Sequence, residues 1–208
     1  MSEQIDSKLE LKKHMLDVDK HYLDLNLDQG IDIKNRIIRI TGTIGDCSSP
    51  LSGGGEYFDF NLLEIALTKM ESISPTEAIT LKINSPGGIV YEALAIIGRM
   101  KVSPCPIITE GYGHVMSAAT LILMAGDIRR LSRFTSTMFH AMQYGTDGDH
   151  DNIKEHVAQA EKEMKQLASY YEEFSNKPAS FWTRKMKKKE YYPTAQEMLE
   201  MGAIDEVI

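Results

Sequence analysis

Cysteine is scarce in this chain: Cys47 and Cys105 are the only two among 208 residues. Two thiols cannot make the cross-linked framework of a small secreted domain, so both are expected to be reduced. Long apolar runs are missing as well, and nothing reaches the roughly 18 residues that a membrane-spanning helix needs. The opening MSEQIDSKLELKKH is polar and of mixed charge, without the apolar stretch of a secretory signal. These absences give an expectation of a cytoplasmic protein with no membrane partner. An excess of positive charge is also lacking. The 23 Lys and Arg are outnumbered by 30 Asp and Glu, giving a formal charge of −7. That balance favours solubility and argues against a nucleic-acid partner. The one basic run, Lys185–Lys189, has no aromatic residues among its lysines and reads as a solvated or subunit-facing surface.

What is present is enough apolar material for one substantial core, 42% of the chain. Residues 1–28 are expected to form a peripheral N-terminal segment, and 29–208 one domain. The stretch Arg36–Ile44 is β-branched and reads as a strand, and Ser48–Gly55 as a glycine-rich loop. Helical spacing follows over Phe58–Met70. Next come a strand at Ala78–Ile83, a sharp turn at Asn84–Gly88, a helix at Val90–Met100 and a strand at Cys105–Glu110. Ser117–Ala125 is apolar almost throughout, as a buried helix would be. Ile128–Leu131 and Thr137–Phe139 read as short strands. A cap-like Thr194 starts a short helix to Met201, and Ala203–Ile208 reads as a final strand. Strand and helix alternate, which predicts an α/β fold with a largely parallel sheet. The clearest helix is Asp151–Ser175. Its apolar residues, from Ile153 through Val157, Ala160, Met164, Leu167 and Tyr171 to Phe174, follow a strict heptad stripe that suits packing along one seam.

Three places could carry chemistry. In Asn84-Ser-Pro-Gly-Gly88, proline fixes one φ and the glycines permit backbone closed to other residues. Such a turn can aim bare N–H groups at a developing oxyanion, or it can be a plain turn. Ser117 opens the apolar helix, where a serine is either a cap or a nucleophile helped by the helix dipole. His140 closes a short apolar strand and is either a base or a satisfied core side chain. His114, three residues before Ser117, is the rival base. Asp147, Asp149 and Asp151 cluster near His150 and His156, but the spacing is not that of a calcium loop, and no metal or other cofactor is expected.

Taken together these residues resemble the ClpP family of self-compartmentalising serine peptidases (the S14 peptidases), over about Ile31 to Ile208. Four blocks carry the likeness in the family's order: Lys82-Ile-Asn-Ser-Pro-Gly-Gly88, Gly113 through Gly126 with Ser117 nine residues before its end, Met138-Phe-His140, and Thr194-Ala-Gln-Glu-Met-Leu-Glu-Met-Gly-Ala-Ile-Asp205. The resemblance implies a ClpP/crotonase-like spiral of βαβ units with a protruding handle helix. It implies Ser117 as nucleophile and His140 as general base, with the N–H groups of Gly87 and Ala118 as oxyanion hole. The backbone of Gly88, Ile89 and Val90 would bind the substrate as an added strand. For the third triad member, alignment from Thr194 points to Glu190 where the family has aspartate, with Asp205 as the runner-up.

The family also implies polypeptide substrates, a homo-oligomer of heptameric rings stacked as a tetradecamer, and an AAA+ unfoldase partner. Several features depart from housekeeping members and look more like a divergent or phage-borne one. Ala-Met follows His140, the interval from Ser117 to His140 is short, and the N-terminus does not look like an ATPase-docking loop. Alternative readings are a non-catalytic ring subunit, a capsid-processing protease, and a crotonase-type acyl-CoA enzyme.

Overall fold

A computed structural model of the chain describes residues 30–45, 57–145, 147–188 and 190–208. The expected N-terminal segment and the Ser48–Gly55 loop lie outside the described residues, as does Cys47. Eight strands form one sheet: β1 (Ile31–Asp32), β2 (Ile37–Ile44), β3 (Tyr57–Phe58), β4 (Ile79–Gly88), β5 (Ile107–Met116), β6 (Ile128–Leu131), β7 (Ser136–Met138) and β8 (Glu206–Val207). The order is β1-β2-β4-β5-β6-β8, with β3 beside β2 and β7 beside β5. Among the described residues only the short β1 runs antiparallel to its neighbour strand; the other strand pairs are parallel. The helices are α1 (Phe60–Ile73), α2 (Val90–Lys101), α3 (Ala118–Met124), α4 (His150–Glu173), α5 (Ala179–Lys188) and α6 (Ala195–Glu200). The chain is thus an α/β fold with a mostly parallel sheet, as the alternation of elements predicts.

The central strands alternate as a half-covered sheet requires. In β4, Ile79, Leu81, Ile83, Ser85 and Gly87 are buried while the residues between them are not. The adjoining helices turn one apolar face inward, Leu63, Ala66, Leu67 and Met70 from α1, and Ala93, Ile96, Ile97 and Met100 from α2. All seven residues of α3 are buried. At the start of β2, Arg36 (φ 56°) sends its guanidinium to the end of α1. It donates to the carbonyls of Met70 (2.8 Å), Ser74 (3.0 Å), Glu77 (2.8 Å) and Ala78 (3.2 Å). One cation thereby bonds a carbonyl of the last helical turn and three in the segment that follows it. The buried Cys105 thiol lies against the same group, 3.3 Å from Arg36 Nη2.

Three expectations need correction. The turn at Asn84–Gly88 is extended strand: pairing with β2 continues to Thr43 opposite Gly87 and Ile44 opposite Gly88, past an irregularity in register. β5 does not stop at Glu110 but runs through Gly111 and Gly113 to the residue before Ser117. The final strand covers only Glu206–Val207.

The long helix stands where its stripe predicts, but it packs unevenly. Leu167, Ala168 and Tyr171 are buried, whereas Ile153 and Val157 near its N-terminus are 38% and 50% exposed. The buried end joins an aromatic cluster. Trp182 lies 5.0 Å from Phe139 and 5.0 Å from Tyr171, ring centre to ring centre, and its indole N–H donates to Ser175 Oγ at 3.0 Å. Such pairs contribute about 1 kcal/mol each beyond their burial. They moor α4 and α5 to the strand that leads to His140. Among the described residues no helix is long and apolar enough to cross a membrane.

Candidate active site

β5 ends at Met116 and α3 begins at Ala118, so Ser117 alone makes the corner between them. Its φ of 52° and ψ of −126° belong to a region that a residue with a Cβ avoids. Such a conformation costs about 1–3 kcal/mol and persists only where the surroundings hold it. Here the Ser117 N–H donates to the carbonyl of Met138 at 2.7 Å. The Ser117 carbonyl accepts from Thr120 Oγ1 at 2.6 Å, and that hydroxyl meets the buried Tyr171 hydroxyl at 2.8 Å. Burial drives the Tyr171 phenol well above its ordinary range, so it stays a neutral partner.

His140 arrives from β7, which pairs with the end of β5: Val115 opposite Thr137, and Met116 opposite Met138. Its Nε2 lies 2.7 Å from Ser117 Oγ. With the proton on Nδ1, Nε2 accepts from the serine hydroxyl, the geometry a general base needs. Phe139 forms an isolated antiparallel bridge with Tyr191, through N–H···O bonds of 2.9 and 2.8 Å. The same register sets Glu190 across from His140. Glu190 lines the same cleft, but its carboxylate is exposed and accepts from the Tyr192 hydroxyl at 2.7 Å. Among the described residues no carboxylate is hydrogen-bonded to the His140 ring. Asp205 is held elsewhere: Arg129 donates to it from Nη2 (2.6 Å), Nε (3.0 Å) and its backbone N–H (2.8 Å), and this contact keeps its carboxyl below the ordinary range. His114 lies outside the cleft wall; its backbone N–H donates to Asn84 Oδ1 at 3.2 Å.

The glycine pair comes in from β4. Gly87 has φ 94°, and a Cβ there would sit 2.5 Å from the Met116 carbonyl oxygen, 2.7 Å from Ser117 Cβ and 2.9 Å from the Ala118 nitrogen. Only glycine lets the two chains approach this closely. At Gly88 a Cβ would fall 2.0 Å from the Ile44 carbonyl oxygen. The Gly87 N–H donates to Ser85 Oγ at 3.1 Å, and Ser85 in turn donates to the Gly42 carbonyl at 2.6 Å. Ala118, first residue of α3, sits beside it. Ile89 donates its N–H to the Ile44 carbonyl at 2.8 Å and Val90 opens α2, so the backbone over Gly88 and Ile89 is already committed to β2 on one side.

Ser117, Ala118 and His140 line a cleft of 670 Å³. Its lining includes Gly88, Ile89 and Val90, then Ser117, Ala118 and Leu121, and Met138, His140 and Met142. Among the described residues no group of three or more His, Cys, Asp and Glu side chains could hold a metal ion.

The family profile described as Clp protease matches residues 59–208, nearly three-quarters of the sequence and every candidate residue above. The chain belongs to the Clp protease family. Among curated relatives, the ATP-dependent Clp protease proteolytic subunit of Deinococcus radiodurans is 29% identical over 150 residues, which cover 71% of this chain and 73% of that protein. The protein of the same description from Bacteroides fragilis is 31% identical over 153 residues, covering 71% and 72%. The mostly parallel α/β sheet and the long outlying α4 agree with membership in the Clp protease family.

Sequence reasoning missed several residues that shape the site. Thr120 is the one polar side chain in an otherwise apolar helix, and that isolation was a usable signal. Tyr171 fits the heptad stripe and gave none. Ser85 was visible only as part of the glycine turn.

Proposed function

We propose that this chain is a serine endopeptidase that cleaves unfolded polypeptides. The observation that carries the reading is the 2.7 Å contact between Ser117 Oγ and His140 Nε2 at a strained corner beside a glycine that no side chain could replace. Ser117 Oγ attacks the scissile carbonyl while His140 takes its proton, then returns it to the leaving amine. The Ala118 N–H and the Gly87 N–H receive the oxyanion. For Gly87 this means exchanging its 3.1 Å bond to Ser85 for the stronger charged acceptor. Glu190, opposite His140 in the bridge register, turns from Tyr192 to orient the ring. The substrate lies extended along Gly88, Ile89 and Val90 on the side that β2 leaves open.

The wider reading has residues 29–208 as the peptidase domain, with 1–28 peripheral to it, in the cytoplasm. The exposed Ile153 and Val157 on α4 favour a homo-oligomer, of heptameric rings stacked as a tetradecamer, in which a second copy covers them. The relatives described as ATP-dependent proteolytic subunits favour an AAA+ unfoldase as partner. One observation favours a second reading, a non-catalytic ring subunit: the Glu190 carboxylate bonds Tyr192 rather than His140.

Labelling with a fluorophosphonate, followed by mass mapping, separates the two. The peptidase reading expects modification at Ser117, none in Ser117→Ala, and a rate lowered roughly 10-fold or more in Glu190→Ala. An assembled wild-type protein that does not label at Ser117 would be the structural subunit.

A further inference from the structure

The segment that follows His140 walls one side of the cleft with Met142, Gln143 and Tyr144. It has no regular secondary structure, yet it is tied to α4. The Met142 N–H donates to Met164 Sδ at 3.3 Å, and the Tyr144 hydroxyl donates to Glu163 Oε2 at 3.1 Å. The Glu163 carboxylate also accepts from Gln159 Nε2 at 2.8 Å, and it lines the same cavity as Tyr91 in the first turn of α2, whose phenol it pushes up. One carboxylate thus gathers α2, the loop and its own helix. The three groups are neutral. They hold the Glu163 carboxyl below its ordinary range, Gln159 first and the two tyrosines after it. Burial, with Glu163 second, pushes the Tyr144 phenol up to about 12. At neutral pH the Tyr144 bond is therefore a phenol donating to a charged acceptor, roughly twice as strong as a neutral pair.

The position of the cluster matters as much as its bonds. Tyr91 and Tyr144 line the cleft, and both also line a second cavity of 280 Å³ on its far side, which Glu163 and Val157 line too. The cluster is the partition between the two spaces. An irregular loop left untied would have to be ordered by each incoming substrate, at about 1–2 kcal/mol per residue fixed. A loop tied in advance removes that cost from binding.

We infer that Glu163, acting through Tyr144 with Tyr91 beside it, is a positioning residue that holds Ala141–Gly145 as the wall against which an extended substrate lies. The inference rests on the peptidase reading above. It assigns Glu163 no contact with the reacting atoms. Its loss is therefore felt by substrates long enough to reach the loop and not by a small reagent that occupies only the Ser117 pocket.

The test uses the full chain in four forms: wild type, Glu163→Ala, Tyr144→Phe and Glu163→Gln. Two quantities are measured, steady-state hydrolysis of a fluorogenic peptide and the rate of fluorophosphonate labelling at Ser117. The expected result is a KM raised about 10-fold in Glu163→Ala and about 3-fold in Tyr144→Phe, with kcat and the labelling rate within about 2-fold of wild type. Glu163→Gln, whose amide oxygen still accepts from the Tyr144 phenol, stays near wild type. Unchanged KM in both Glu163→Ala and Tyr144→Phe, with labelling intact, overturns the positioning role alone. So does a fall in labelling that parallels the loss of hydrolysis, which would mean general damage to the site. A wild type that neither labels nor hydrolyses sinks the peptidase reading and this inference with it.

Discussion

Among the described residues only two other than glycine have positive φ, Arg36 at 56° and Ser117 at 52°. They stand at opposite ends of the same sheet, Arg36 where β2 begins and Ser117 where β5 has just ended. Their surroundings use the conformation in contrary ways. At Arg36 the backbone swings a guanidinium under α1, where it meets four carbonyls; the unfavourable dihedral is offset by hydrogen bonds to a charged donor, each contributing about 1.5–3 kcal/mol. At Ser117 the side chain gains a single partner, His140. Its strain is held by neighbours that do not relieve it. The comparison teaches that an uncommon dihedral is not by itself a functional mark. What marks Ser117 is that the strain ends on a reactive oxygen facing a cavity.

Substitutions at the two ends should separate these uses. The largest effect is expected from Gly87→Ala, since a Cβ 2.5 Å from the Met116 carbonyl oxygen must push the Ser117 corner away. Labelling at Ser117 should slow by on the order of 100-fold or more, read from the kinetics of modification. A labelling rate near wild type would show that the close approach is not needed for chemistry. Next is Arg36→Met, which removes a charged donor from four carbonyls and should cost about 3 kcal/mol in a denaturant titration. The folded fraction should label at the wild-type rate; a slower rate would join the two ends that the comparison holds apart. The smallest effect on stability is expected from Ser117→Gly. Glycine adopts φ 52° and ψ −126° without penalty, so the protein should gain about 1 kcal/mol in stability while losing all labelling. A destabilised Ser117→Gly would mean that the corner is not strained.

Much of this was legible in the sequence, for local reasons. Ser117 and His140 stood out because each punctuates an apolar run, and the alternation of elements announced a parallel sheet. The strand ends were misjudged because Pro86, Gly87 and Gly88 read as breakers. In a parallel sheet the neighbouring strand supplies the pairing that local propensity withholds, and β4 continues to Gly88 opposite Ile44. The helix Ala179–Lys188 was overlooked since its lysines drew attention to charge. Its buried residues, Trp182 and Met186, are only two positions one turn apart, too few to announce a period. The heptad stripe of α4 was plain, but no pattern along one helix states how much of it the same chain will cover. The state of Glu190 was out of reach for a similar reason, because its choice between Tyr192 and His140 is made by side chains that meet only in the fold.

Trp182 is the only indole in the chain, fully buried, stacked on Tyr171 and tilted against Phe139. Phe139 is the residue before His140, and Tyr171 braces the helix that begins just after Ser117 through Thr120. The protein therefore carries its own optical gauge. A dry, stacked indole emits at shorter wavelength than a wet one, so the colour of this single fluorophore reports whether the strand bearing the histidine and the helix beside the serine are docked together. No dye or label need be introduced.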